Sequence, residues 1–210
     1  MTPGYFFRSP FVLPWLYPGL TWRMPSDKKE IYLTFDDGPV PGPTEFVLDQ
    51  LSKARAKATF FCIGDNIRKS PLVFQKILAH GHAVGNHTFH HLNGWKTDQA
   101  KYVGDIQLCT EEISRHGIPG NLFRPPYGRI TRSQIGALQN QRIIMWDVLT
   151  NDYAKNLSPE MCVRGSISSA RPGSIVVFHD SLKAERNMTF ALPRFLEHFS
   201  SLGYTFKSLP

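Results

Sequence analysis

This 210-residue chain has only three cysteines, Cys62, Cys109 and Cys162, and no two of them stand at the close spacing of a zinc or redox motif. An odd set, each within an apolar stretch, excludes a disulfide-stapled scaffold and points to buried free thiols. Long basic runs are missing too. The 24 lysines and arginines outnumber the 17 acidic residues, for a formal charge of +7, yet they are scattered and no recognition module accompanies them. The charge therefore favours anionic surroundings by long-range attraction, and nucleic acid is not expected as a partner. There is no repeat period and no low-complexity tract. The apolar stretch from Phe11 to Trp22 is too short for a transmembrane helix and is broken by Pro14 and Pro18. It has neither a basic start nor a small-residue cleavage site, so it does not read as a signal peptide. A cytoplasmic or membrane-peripheral location is the expectation.

With 41% hydrophobic and 20% charged residues, the chain suits a single α/β domain with a full core. Apolar runs rich in β-branched and aromatic residues at 31–35, 58–63, 82–86, 121–124, 142–147, 174–178 and 204–208 read as strands. Helical patterns fall between them at 44–55, 71–80, 97–115, 131–140, 158–170 and 189–201. Strands that alternate with helices pair in parallel through right-handed crossovers, which allows either a doubly wound sheet or a barrel. The small size favours a reduced barrel of about seven parallel strands with outer helices. Residues 30–210 would form this domain, and residues 1–29 an extension packed on the barrel, with contact to a membrane surface as the alternative.

Chemistry-bearing residues gather at the carboxyl ends of these strands, where α/β folds place their sites. Asp36 and Asp37 end the first apolar run, just before Gly38-Pro39. His87 and His91 follow the third, and on a helical turn their spacing would aim both imidazoles at one metal. Either aspartate could complete a two-histidine, one-carboxylate set with open positions, the pattern of a catalytic metal. His90, at the wrong offset, should turn away. Arg124-Pro125-Pro126-Tyr127-Gly128 forms a stiff loop in which the arginine can pair with a carboxylate and a backbone N–H can face an oxyanion. Asp152 is placed to orient an imidazole. His179, at the end of a wholly apolar strand, would gain a raised pKa from a carboxylate partner and could donate a proton near neutral pH.

In this order the clusters resemble the polysaccharide deacetylase family, also called the NodB homology domain or carbohydrate esterase family four. The likeness runs from about Ile31 to about Tyr204. It implies a distorted (β/α) barrel with its groove at the strands' carboxyl ends. It implies Asp36 as catalytic base steadied by Arg124, and Asp37, His87 and His91 as ligands of one divalent metal. Zinc is the first choice, with cobalt, nickel and manganese also suited. His179 is implied as catalytic acid beside Asp152, and Tyr127 as oxyanion donor, with Pro126 and Tyr153 on the groove walls. Tyr153 stands where the family often has tryptophan. The implied activity is removal of N-acetyl groups from N-acetylhexosamine residues of a peptidoglycan or chitin-like glycan by a monomer. O-acetyl xylan esterase, cyclic-amide hydrolase and catalytically silent glycan-binding module are the alternatives.

Overall fold

A computed structural model describes residues 4–25 and 27–210. Its elements run α1 (Val12–Leu16), β1 (Glu30–Asp36), α2 (Pro43–Lys53), β2 (Thr59–Cys62), α3 (Gly64–Lys69), α4 (Pro71–Ala79), β3 (Ala83–Asn86), α5 (Gln99–Ser114), β4 (Leu122–Phe123), α6 (Arg132–Ala137), β5 (Arg142–Ile143), β6 (Val148–Leu149), α7 (Pro159–Ser169), β7 (Ile175–His179), α8 (Glu185–Ser201) and β8 (Thr205–Lys207). The strands join in one parallel sheet of order β5-β4-β3-β2-β1-β7-β6, and β8 pairs with β1 off that path. Wrapped by helices, the sheet is the reduced, incomplete barrel that the alternation of elements allowed and the small size favoured.

The period of two along β1 explains how the barrel and the site are built together. Ile31, Leu33 and Phe35 face the outer helices, where Phe35 stacks on Phe60 at 5.1 Å and on Phe178 at 6.0 Å. Burying each phenylalanine contributes about 1.5–3 kcal/mol. The alternate residues Tyr32, Thr34 and Asp36 point the other way, into the barrel, so the strand that holds the core also delivers a carboxylate inward. β2 repeats the pattern: Phe60 and Cys62 join the outer core, and Phe61 the inner cluster with Tyr32, Leu122, Ile144, Ile175 and Leu209.

Most helices begin where the sequence places them. Asp98 caps α5 by accepting from the Lys101 N–H, and Ser158 caps α7 through the Met161 N–H, with Pro159 in the first turn. Tyr102, Ile106, Cys109 and Ile113 share the buried face of α5. Three details differ from expectation. The short helices α1 and α3 were not legible, α8 starts at Glu185 rather than 189, and the run 142–147 is not one strand. Only its first two residues form a strand, β5, and the rest leads to β6 at the opposite edge of the sheet. The chain crosses between those edges at residues 144–147. Because Ile143-Ile144-Met145-Trp146 is apolar throughout, periodicity could not mark the crossing. The leading segment lies in the same gap. The Ser9 N–H bonds to Asp147 O and the Leu149 N–H to Phe7 O, while Thr21 exchanges bonds with Ile143 O and the Met145 N–H. Leu20 and Trp22 pack there against Phe123, Ile143 and Met145.

Candidate active site

The carboxyl ends of β1, β3, β4, β6 and β7 open into a cavity of about 380 Å³ whose walls include Asp36, Asp37, His87, His91, Tyr127 and His179. Its centre is a buried ion pair. Arg124, wholly inaccessible, donates through Nη1 to Asp36 Oδ1 at 2.7 Å and to Thr34 Oγ1 at 2.7 Å. Its Nε and Nη2 reach the carbonyls of Ile144 at 3.2 Å and Met145 at 2.9 Å, and its Cζ lies 4.1 Å from the ring centroid of Phe61. These partners satisfy a guanidinium that would otherwise be costly to bury, and they fix the carboxylate in one position.

Asp37 follows with φ at 81°, a left-handed conformation rare for a residue with a side chain. Its carbonyl accepts from Asn66 Nδ2 at 2.7 Å. The next turn is pinned by Asp180, whose Oδ1 accepts from the Gly38 N–H at 3.0 Å and whose Oδ2 accepts from Thr44 Oγ1 at 2.6 Å. A Cβ on Gly38 would stand 2.0 Å from Asp180 Oδ2. Gly38→Ala is therefore expected to cost about 1–3 kcal/mol of stability, as forced overpacking does. A thermal melt checks this, and an unchanged midpoint would mean that Asp180 does not hold the turn rigidly.

Asp37 Oδ1 lies 3.2 Å from His91 Nε2 and 3.7 Å from His87 Nε2, and one ligand atom from each of the three residues falls within 4.8 Å of the others. Donors bound at 2.0–2.2 Å to a tetrahedral ion stand roughly 3.3–3.6 Å apart, so this set fits one. Burial would raise the Asp37 pKa, but the hydrogen bond to His91 and the charges of His179 and His87 hold it well below the usual range. Burial lowers His87 to about 4, which keeps it neutral as a ligand must be. Its Nδ1 is tied to Arg124 O at 2.8 Å, leaving Nε2 to face the cavity.

The two histidines do not lie on a helical turn, as their spacing suggested. They sit in a loop in which Thr88 and His91 are left-handed, held by Asn86 Oδ1 accepting from the Thr88 N–H and by Asp105 accepting from the Phe89 and His90 N–H groups. His90 does turn away, with Nδ1 on Asp105 Oδ1. Apart from Arg55, the described non-glycine residues with left-handed backbone are Asp37, Thr88, His91, Tyr127 and Asn151. They cluster about this cavity, as strain does at functional sites.

His179 faces the metal set. Burial alone would depress its pKa, but Asp152 Oδ1, 2.7 Å from Nδ1, raises it to about 9 with help from Asp37 and Asp36. Asp152 Oδ2 also accepts from the His179 backbone N–H at 2.8 Å, which locks residue and ring together. Tyr153 packs its ring 5.0 Å from that of His179. One wall residue differs from expectation: Pro126 is buried, and Pro125 with Tyr127 lines the cavity instead. Trp146 and Leu149, from the same stretch as Asp152 and Tyr153, also line the cavity, as do Arg129 and Lys183, which were not foreseen. Trp146 at the end of an apolar run was a usable signal; the two cations, in ordinary loop sequence, gave none.

Fold and site together define a barrel-type domain with a candidate metal-binding triad in its groove. The sequence profile of the polysaccharide deacetylases matches residues 23–143, and the chain belongs to that family, a class of hydrolases that act on carbon–nitrogen bonds other than peptide bonds. A peptidoglycan-N-acetylglucosamine deacetylase of Bacillus cereus is 35% identical over 191 residues, covering 89% of this chain and 69% of its own. A chitooligosaccharide deacetylase of Azorhizobium caulinodans is 36% identical over 172 residues, covering 77% of this chain and 79% of its own. The crystal structure of the Bc1960 peptidoglycan N-acetylglucosamine deacetylase, in complex with 4-naphthalen-1-yl-N-oxidanyl-benzamide, superposes with a TM-score of 0.88 at 32% identity and covers 96% of this chain and 95% of that one. That match extends past the end of the profile to the region of Asp152 and His179.

Proposed function

We propose that the protein is a metal-dependent deacetylase that removes N-acetyl groups from N-acetylhexosamine residues of a peptidoglycan or chitin-like glycan and releases acetate. One observation carries this reading: the Arg124–Asp36 pair and the Asp152–His179 pair meet in a single cavity with Asp37, His87 and His91.

Asp37, His87 and His91 would hold the ion, which when bound would supply Lewis acidity to the amide carbonyl and to the attacking water; zinc suits the donors first, with cobalt, nickel or manganese as other occupants. Asp36 is the base that takes the proton of the attacking water, and Arg124 keeps its carboxylate aimed. The Tyr127 backbone N–H supplies a donor to the oxyanion. His179 then gives its proton to the departing nitrogen, and Asp152 steadies the imidazolium. Tyr153 and Trp146 offer flat surfaces to sugar rings. An amide nitrogen leaves only once protonated, so an acid poised as high as His179 favours N-deacetylation over ester cleavage.

The pH profile tests the acid. His179 is protonated below its raised pKa and loses the proton as pH rises through about 9, and a bound cation moves that limit downward. Activity should therefore fall along an alkaline limb at or below about 9. Asp152→Asn removes the group that raises the pKa and should shift the limb toward the ordinary histidine value of about 6.5. A profile that does not move would remove His179 from the acid role. The function itself is tested by acetate release from N-acetylglucosamine oligomers, with zinc-loaded and chelated protein side by side. Acetate from the loaded protein alone supports the reading; acetate only from acetylated xylan transfers the activity to esters, and none from either substrate overturns it.

A further inference from the structure

Residues 11–16 turn an apolar face to solvent. Phe11 is 92% exposed and Trp15 77%, with Val12 and Leu16 also open, and α1 buries none of its residues. Positions 11 and 15, like 12 and 16, are one helical turn apart, so the four side chains share a side. An apolar group of this kind on a soluble surface marks a place of contact.

Beside it lies a cavity of about 870 Å³, walled by Phe11, Pro14 and Pro18 of the same segment and by Arg8, Arg23, Arg142 and Arg171. Backbone carbonyls position two of these guanidiniums without neutralising them, and a third reaches an oxygen of Pro210, the last residue of the chain. Arg8 donates to Ser169 O, Arg23 Nε to Pro172 O at 3.0 Å and Arg142 Nη1 to Pro210 O at 2.9 Å. The acid in the lining is Asp147, which Arg171 approaches at 3.4 Å and Ser174 Oγ reaches at 2.6 Å. Four guanidiniums thus line a cavity with one acidic side chain, Asp147, next to an exposed aromatic turn.

We propose that this face seats the protein on an anionic phospholipid bilayer, with Phe11 and Trp15 in the headgroup region and the arginines on lipid phosphates. Charge decides the occupant. A second copy of this chain, itself at +7, would bring arginine cluster against arginine cluster across a twofold contact, whereas an anionic surface complements them. Geometry supplies the use. Arg142 opens β5, Arg171 stands just ahead of β7 and Asp147 just ahead of β6, so this cavity is at the strands' amino ends. Asp36 and His179 are at the carboxyl ends, and Trp146 contributes to the walls of both cavities. Docked in this way, the protein holds its catalytic groove away from the bilayer and open to a polymer above it.

Vesicle co-sedimentation tests the proposal, with phosphatidylglycerol–phosphatidylcholine vesicles against pure phosphatidylcholine. Binding is expected on the mixed vesicles, with a blue shift of tryptophan emission that Trp15→Ser removes. Arg23→Gln and Arg142→Gln should each weaken it about fivefold, and Phe11→Ser with Trp15→Ser should abolish it. All four substitutions should leave acetate release from soluble oligomers unchanged, which separates docking from folding and from catalysis. Absence of binding to mixed vesicles, equal binding to both kinds, or binding indifferent to Phe11 and Trp15 would overturn the proposal. So would a dimer in light scattering that Trp15→Ser dissolves, since that would give the face to a second copy.

Discussion

Asp36→Asn is expected to lower kcat for acetate release by about 10²–10⁴-fold, the range that a positioned general base contributes, while the fold and the bound metal remain. Asparagine is the informative substitution because Arg124 is wholly buried and needs an acceptor at Oδ1. The amide oxygen can still accept the 2.7 Å bond from Nη1, whereas alanine would strand a guanidinium in the barrel, at a cost of roughly 3–5 kcal/mol. A loss of rate after Asp36→Ala would then mix chemistry with stability. The Asn variant separates them: kcat should collapse, metal content should stay near the parent value, and the melting midpoint should move little. If kcat fell by less than tenfold in a folded, metal-loaded variant, another group would have to take the water's proton.

What the sequence could reveal follows from where its information is local. The run Ile31-Tyr32-Leu33-Thr34-Phe35 announces a strand, and its period of two already dictates that Asp36 shares a face with Thr34 and Tyr32. Strand ends likewise mark Arg124 and His179, so most residues of the cavity were visible. The joints that hold them were not. Asp105 reaches the His87–His91 loop from the middle of α5, Asp180 grips Gly38 across 142 residues of chain, and Asn66 holds the Asp37 carbonyl from α3. Nothing near any of these residues in the sequence marks its partner. The helical reading of the two histidines failed for a related reason: an i,i+4 spacing is also met by a loop whose backbone is forced left-handed at Thr88 and His91. Likewise, the crossing at residues 144–147 is hidden because Ile143-Ile144-Met145-Trp146, which carries the chain from one sheet edge towards the other, is apolar throughout.

His87→Ala should remove the metal and the activity together. Of the three candidate ligands, His87 is the most buried, and its Nδ1 is committed to Arg124 O, so no rotation or water can replace Nε2 cheaply. Its depressed pKa, about 4, also means that no proton competes with the ion at neutral pH. The variant is expected to retain less than about a tenth of the parent's metal after gel filtration, because losing even an outer-shell partner typically costs 10–100-fold in affinity, and removing a ligand costs more. Acetate release should fall to background. His90→Ala, three residues along but turned onto Asp105, should change neither quantity, which makes it the matched control for disturbance of the loop. Chelated parent protein should lose activity and regain it when zinc is added back, while chelated His87→Ala should not recover at the same zinc concentration. Atomic emission on the eluted protein together with the acetate assay decides the matter. Full metal and full rate in His87→Ala would remove it from the ligand set and leave Asp37 and His91 too few to hold a catalytic ion.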